Sequence, residues 1–280
     1  MNGFDPPRAA IRDVVARALA EDLLPLGDLT AALVDGSARA AGAVVARSGG
    51  VLAGSGCFAE VFAQLDPSVT VRFGREDGAR LDAGTRVADV TGPVASLLAG
   101  ERTALNLLCH LSGVATLTRR FVDAAGSSSA RVIDTRKTLP GLRAVQKAAV
   151  RAGGGCNHRG SLSDMVLVKD NHRAVLGVAA AVAAARRQWP FRAVEVECDT
   201  FEQVAEAVAA GATAVLLDNM SPEEARRCVQ EVAGRCLVEA SGGITIDTVA
   251  AYAAAGVDFV SVGALTMSAP SLDLGLDLEA

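Results

Sequence analysis

The feature that most constrains this chain is a series of six short β-branched runs in its second half, alternating with alanine-rich helical stretches. The runs are RVIDTRKT, MVLVKDNH, AVEVECDT, AVLLDN, CLVEASGGIT and VDFVSVGALT, and their polar or glycine ends fall at Asp134, Lys169, Glu197, Asp218, Ser241 and Gly263. Successive ends lie 21 to 35 residues apart, room for a strand, a loop and one helix each. That rhythm predicts parallel strands with covering helices. In parallel α/β barrels the C-terminal strand ends converge on one face, where sites are built. The expected fold class is therefore α/β, with a βα barrel holding an anion site in its mouth.

The first hundred residues have a different texture. Residues 7–24 place Ile11, Val14, Val15, Ala18 and Leu19 at helical spacing. Short β-rich pieces at 43–46, 69–73 and 86–90 follow, punctuated by glycine, so a mixed α/β domain is expected. EDGARLDAGTRVADVTG resembles the turn-and-strand pattern of biotinyl and lipoyl carriers, but no lysine precedes Lys137, so the attachment residue of a carrier is absent. Residues 97–124 form a long helical pattern, expected to be interrupted near Ser112 and Gly113.

The net charge of -5 gives no reason to expect nucleic acid, which calls for a basic surface. One island departs from that balance. Residues 131–173 hold nine basic residues against three acidic ones, among them all three lysines of the chain, Lys137, Lys147 and Lys169. Positive charge concentrated in an acidic protein points to a small anionic substrate. The N-terminus lacks the apolar core of a secretory signal, and no apolar run approaches the roughly 20 residues of a membrane span. The expectation is a cytoplasmic protein without a membrane partner. Six cysteines without CxxC pairs or metal-ligand spacing are read as core residues.

DTRKTLPG places Arg136 and Lys137 at a strand end, where adjacent side chains diverge and can grip two anionic groups. Arginine matches planar carboxylates, whereas phosphate accepts either cation. The glycine-rich GGGCNHRG adds His158 and Arg159, and Lys169 follows directly on an apolar run, where it needs an anion to meet it. In VEVECDT, alternation sets Glu195, Glu197 and Asp199 on one face. Glu195 and Asp199 are read as structural partners of nearby arginines. Glu197, with Asp218, suits ribose hydroxyls or a hydrated Mg²⁺ carrying phosphate oxygens. Ser241, Gly242, Gly243 and Gly263 end the last two runs, where backbone N–H groups can approach a phosphate.

In order along the chain, GDLT, ERTALNLLCHLSGVAT, DTRKTLPGLR, KAAVRAGGGCNHRGSLSDMVLVKDNH, VEVECDT, LLDN, EASGGIT and VGALT resemble the signatures of the quinolinate phosphoribosyltransferase family. The resemblance implies an N-terminal α/β sandwich over 1–110, with the 268–280 tail packed back on it, and an incomplete, open parallel βα barrel over 111–267. It implies transfer of phosphoribosyl from phosphoribosyl pyrophosphate to quinolinate with decarboxylation, Mg²⁺ as cofactor, and homodimers, or hexamers, with shared active sites. Arg102, Arg136, His158 and Arg159 would surround the pyridine dicarboxylate. Lys137 and Lys169 would lie near the reacting groups and pyrophosphate, Glu197 and Asp218 would hold ribose and Mg²⁺, and Ser241, Gly242, Gly243 and Gly263 would line the phosphate site. Met267 stands where the family pattern has histidine. Two alternatives stay open: a paralogue found with molybdate-transport genes, using another acceptor, and a barrel that binds sugar phosphates without turnover.

Overall fold

The computed structural model describes residues 5–279, and the chain divides into two compact units. The first comprises residues 1–119, 138–154 and 265–280; the second comprises 120–137 and 155–264.

The first unit opens with helix α1 (Arg8–Leu23), whose buried residues Ile11, Val14, Val15 and Leu19 follow the apolar stripe read in the sequence. Strand β1 (Arg39–Ala46), strand β2 (Gly50–Val51), helix α2 (Ser55–Leu65), strand β3 (Thr70–Phe73), strand β4 (Arg80–Leu81) and strand β5 (Arg86–Pro93) come next. Phe58 and Phe62 of α2 are fully buried, and Phe58 meets Phe73 edge-on with ring centroids 5.7 Å apart. Burying each such ring contributes roughly 1.5–3 kcal/mol.

Helix α3 (Val94–Ala125) runs unbroken through Ser112 and Gly113, so the interruption expected there does not occur. Tertiary contacts override the weak local propensity. Ser112 Oγ accepts from Ala53 N and donates to Ala53 O, both at 3.1 Å. At Gly113 a Cβ would stand 2.1 Å from the Pro270 carbonyl oxygen, so the glycine admits the C-terminal tail against the helix.

In the second unit, strand β6 (Arg131–Ile133) is followed by helix α4 (Arg143–Ala152), which groups with the first unit. Strand β7 (Val166–Val168), helix α5 (Asp170–Leu176), helix α6 (Val178–Gln188), strand β8 (Val194–Cys198), helix α7 (Phe201–Ala209), strand β9 (Ala214–Asp218), helix α8 (Pro222–Val232), strand β10 (Leu237–Ser241), helix α9 (Val249–Ala255) and strand β11 (Phe259–Ser261) complete the βα series. All six strands lie parallel in the order β6-β11-β10-β9-β8-β7. β6 and β7 form the two edges, so the sheet is an open barrel, with an isolated parallel bridge from Cys156 to Ile133 on its β6 side. Helix α10 (Ala264–Met267) leads into strand β12 (Leu274–Glu279). β12 joins the first unit's antiparallel sheet, order β12-β1-β5-β3, pairing with β1 from Ala46↔Leu274 to Ala41↔Glu279.

Strand-to-helix junctions in the second unit are written in the local sequence. Ser221 and Glu224 form a capping box at the start of α8 with Pro222 at its first position, and Thr200 Oγ1 accepts from Gln203 N at the start of α7. His172 Nδ1 accepts from Lys169 N at 3.0 Å, so the histidine of KDNH stops β7 and starts α5. No helix among the described residues is long and apolar enough to cross a membrane.

Candidate active site

A cavity of about 490 Å³ lies at the C-terminal ends of the parallel strands. Its walls include Arg136, Lys137, His158, Arg159, Lys169, Glu197, Asp218 and Ser241, which the sequence had singled out from five strand ends and the glycine-rich GGGCNHRG loop. Period-two alternation explains why the strands aim there: Glu195 and Glu197 on β8, Leu216 and Asp218 on β9, and Glu239 and Ser241 on β10 each share one face.

Lys169 Nζ meets Glu197 Oε2, so the anion facing this lysine is a carboxylate of the chain itself. Asp218 lies close enough to feel its neighbours: burial, then the charges of Glu197 and Asp199, push its carboxyl above the ordinary range. Asn219, at φ 57°, donates its Nδ2 to Asp218 Oδ2 at 2.9 Å, and its N–H reaches Ser241 O at 3.0 Å. Asparagine tolerates this left-handed backbone, which turns the chain sharply at the end of β9. Gly242, φ 94°, packs against that turn; a Cβ there would come within 2.3 Å of Asn219 Oδ1. Gly243 follows, and Gly263 lies beside Lys137, where a Cβ would fall 2.9 Å from Cδ.

The GGGCNHRG loop is tied down by carboxylates. Asp134, fully buried at the end of β6, accepts from His158 N at 2.9 Å and from Asn157 Nδ2 at 2.6 Å. His158 Nε2 lies 2.9 Å from Glu195 Oε2 and 3.3 Å from Glu239 Oε2, while its Nδ1 accepts from Arg159 N at 2.8 Å. The expected partner of Glu195 was an arginine; the structure provides His158 instead. Asp199 does pair with an arginine, Arg173, at 2.6 Å. Glu239 was not singled out from the sequence, although its alternation with Ser241 on β10 carried the signal.

Burial alone would strip His158 of its extra proton, but hydrogen bonds with Glu195 and Glu239 override it and hold the pKa up to about 10. Burial lifts Glu239 to about 7 against the hydrogen bond from His158. The cluster therefore retains one proton more than separate residues would at neutral pH. Because Nδ1 accepts the Arg159 N–H, Nε2 is the ring nitrogen that carries the proton facing the two carboxylates. His158, Glu195 and Glu239 also form the one grouping of three potential metal-ligating side chains among the described residues, their ligand atoms all within 4.8 Å of one another. Burial and the adjacent Arg136 press the Arg159 pKa below its ordinary value, as expected for two guanidinium groups converging on one pocket.

Arg102 lies in the first unit, exposed on α3. Met267, in α10, is 53% exposed, so it does not fill an apolar gap.

Comparison with known proteins gives one consistent answer. The model of the quinolinate phosphoribosyl transferase N-terminal domain matches residues 28–112, and that of the C-terminal domain matches 114–277. The chain is 45% identical over 278 residues to a carboxylating nicotinate-nucleotide pyrophosphorylase of Mycobacterium leprae, covering 96% of this chain and 97% of that protein. It is 42% identical over 254 residues to a probable carboxylating nicotinate-nucleotide pyrophosphorylase of Bacillus subtilis, covering 90% and 88%. The solved nicotinate-nucleotide pyrophosphorylase of Francisella tularensis superposes with a TM-score of 0.94 at 37% identity over 98% of both chains.

Proposed function

The chain belongs to the quinolinate phosphoribosyltransferase family, and from that premise we propose how its residues divide the work. The reaction transfers phosphoribosyl from phosphoribosyl pyrophosphate to quinolinate, with loss of carbon dioxide, to give nicotinate mononucleotide and pyrophosphate in de novo NAD biosynthesis. The observation that carries the assignment of roles is the single cavity lined by Arg136, Lys137, Arg159 and Lys169 on its cationic side and by Glu197 and Asp218 on its anionic side.

The pyridine nitrogen bonds to C1 of the ribose as the C1–O bond breaks and its electron pair leaves with pyrophosphate. Positive charge develops at C1 and then resides on the pyridinium nitrogen, which stabilises the electron pair left on C2 when the 2-carboxylate departs as carbon dioxide; that pair then takes up a proton from solvent. Arg136 and Arg159 hold the two carboxylates, where bidentate geometry favours arginine. Lys137 and Lys169 stabilise the negative charge that grows on the leaving pyrophosphate. Ser241, on the cavity wall, would receive the phosphate together with the neighbouring Gly242, Gly243 and Gly263. Lys169 exchanges its Glu197 partner for substrate oxygens, freeing Glu197 for the ribose.

Glu197 and Asp218 also fit Mg²⁺: both offer hard oxygen donors, and a divalent cation would relieve the burial and carboxylate repulsion that together raise the Asp218 pKa. Bound there with the substrate, Mg²⁺ would neutralise pyrophosphate charge. Arg102, exposed on α3, would serve the cavity of a second copy in a homodimer with shared sites. The six cysteines are all free thiols, which fits work in the reducing cytoplasm.

Substrate choice tests this reading. Nicotinate lacks the 2-carboxylate and would leave a guanidinium without its anion, so quinolinate should be preferred by roughly 100-fold or more in kcat/KM. Equal efficiency with both acids would refute the assignment.

A further inference from the structure

We propose that Glu195 and Glu239 are positioning residues for recognition of the dicarboxylate, acting through His158 on the main chain of Arg159. The inference rests on the preceding reading in one respect, that Arg159 binds quinolinate. The Glu195 and Glu239 side chains are 2% and 4% exposed, and both converge on Nε2 of His158. The other ring nitrogen, Nδ1, accepts the Arg159 N–H at 2.8 Å. Both nitrogens of His158 are therefore engaged by the protein, and the ring works as a strut between the strands and the loop.

The strut has a counterpart on the other side of the loop. Asp134 accepts from His158 N and from the Asn157 side chain. Arg159 Nη1 donates to Met165 O at 3.3 Å. Asn157 and His158 are thus gripped by carboxylates at the end of β6 and on β8 and β10, and Arg159 is held through the His158 ring. Burying two carboxylates is expensive, and apolar residues of similar volume would stabilise a fold at least as well. What the acids supply is direction: an acceptor pair that admits one ring orientation, the one in which Nδ1 faces Arg159. A guanidinium meant to meet a planar carboxylate must be held to within about 0.5 Å, and its own long side chain cannot supply that rigidity.

Glutamine in place of either acid retains an acceptor oxygen of the same shape, whereas leucine removes it. The experiment uses the full chain with Glu195→Leu, Glu239→Leu, Glu195→Gln and Glu239→Gln. Two quantities are measured: amide hydrogen exchange across 157–161, and calorimetric affinity for quinolinate and, separately, for phosphoribosyl pyrophosphate with Mg²⁺. We expect the leucine variants to exchange faster at Arg159 and to bind quinolinate about 10- to 100-fold more weakly, the loss of a hydrogen bond to a charged group. Phosphoribosyl pyrophosphate affinity should change less than about twofold, a change too small to reflect a lost contact. The glutamine variants should recover most of the quinolinate loss.

Unchanged exchange at 157–161 in folded leucine variants would overturn the proposal. So would equal losses for both ligands, or glutamine variants no better than leucine. If the parent protein binds no quinolinate, the functional reading fails on its own terms, and the exchange data still decide whether these carboxylates hold the Arg159 segment.

Discussion

Gly263 and Lys137 share one surface: a Cβ added to the glycine would stand 2.9 Å from Cδ of the lysine. The obstacle is a flexible side chain, so the fold can yield, but only by moving the ammonium that the proposed mechanism sets beside pyrophosphate. Gly263→Ala should leave the melting temperature within about 2 °C, while kcat/KM falls by about 10- to 100-fold, the scale of an ångström of misplacement. Thermal unfolding and steady-state kinetics on one preparation check both halves. Full activity would mean that Lys137 is not held where the mechanism needs it.

Arg102 is exposed on α3 in the first unit, whereas Lys137 lines the cavity of the second. If sites are shared between copies, Arg102→Ala and Lys137→Ala homodimers should each be nearly inactive. Mixed dimers should regain up to half the parental activity per pair, because one of the two sites then has both residues intact. Co-purification through two different tags isolates the hybrid. No recovery in a verified hybrid would contradict the shared site.

Glu239 makes stability depend on pH in a definite direction. Its folded pKa is about 7, above the ordinary 4.5, because burial disfavours the charged form. Between those values the folded protein keeps a proton that the unfolded chain releases, so rising pH favours unfolding. This stabilising contribution is complete below about 4.5 and is lost as pH rises through about 7. Glu239→Gln lacks the titration, so urea denaturation should show the variant gaining on the parent from pH 5 to pH 8. Parallel pH profiles would count against the burial of an ionisable carboxyl here.

The parts of this account that could be read from residues alone share a local cause. An apolar β-branched run that gives way to a polar or glycine residue marks a strand end wherever it occurs, so Asp134, Lys169, Glu197, Asp218, Ser241 and Gly263 mark out the barrel in the sequence itself. What escaped depends on distant chain. Ser112 and Gly113 look like a break, yet Ala53 and the Pro270 carbonyl make them places of close packing within one helix. Glu195 finds His158, 37 residues away, because the GGGCNHRG loop folds back over the strand ends. Glu239 is a lone acid in CLVEASGG, with no charge cluster around it; only its shared face with Ser241 betrays that it points inward.

Met267 departs from the family pattern, and its 53% exposure leaves room for a larger polar ring. Methionine sulfur cannot donate a hydrogen bond, whereas histidine can donate to a phosphate oxygen. Met267→His should lower KM for phosphoribosyl pyrophosphate severalfold and leave KM for quinolinate nearly unchanged. An unaltered KM for phosphoribosyl pyrophosphate in a folded variant would remove this position from the phosphate site.

The most direct measurement is the stoichiometry of the reaction itself. Purified protein is incubated with quinolinate labelled in its 2-carboxylate, phosphoribosyl pyrophosphate and Mg²⁺, and nicotinate mononucleotide, pyrophosphate and labelled carbon dioxide are quantified together. The account predicts the three products in equal amounts, and none above background when Lys137 is replaced by alanine. Binding of phosphoribosyl pyrophosphate without release of pyrophosphate, or pyrophosphate released without labelled carbon dioxide, would contradict it.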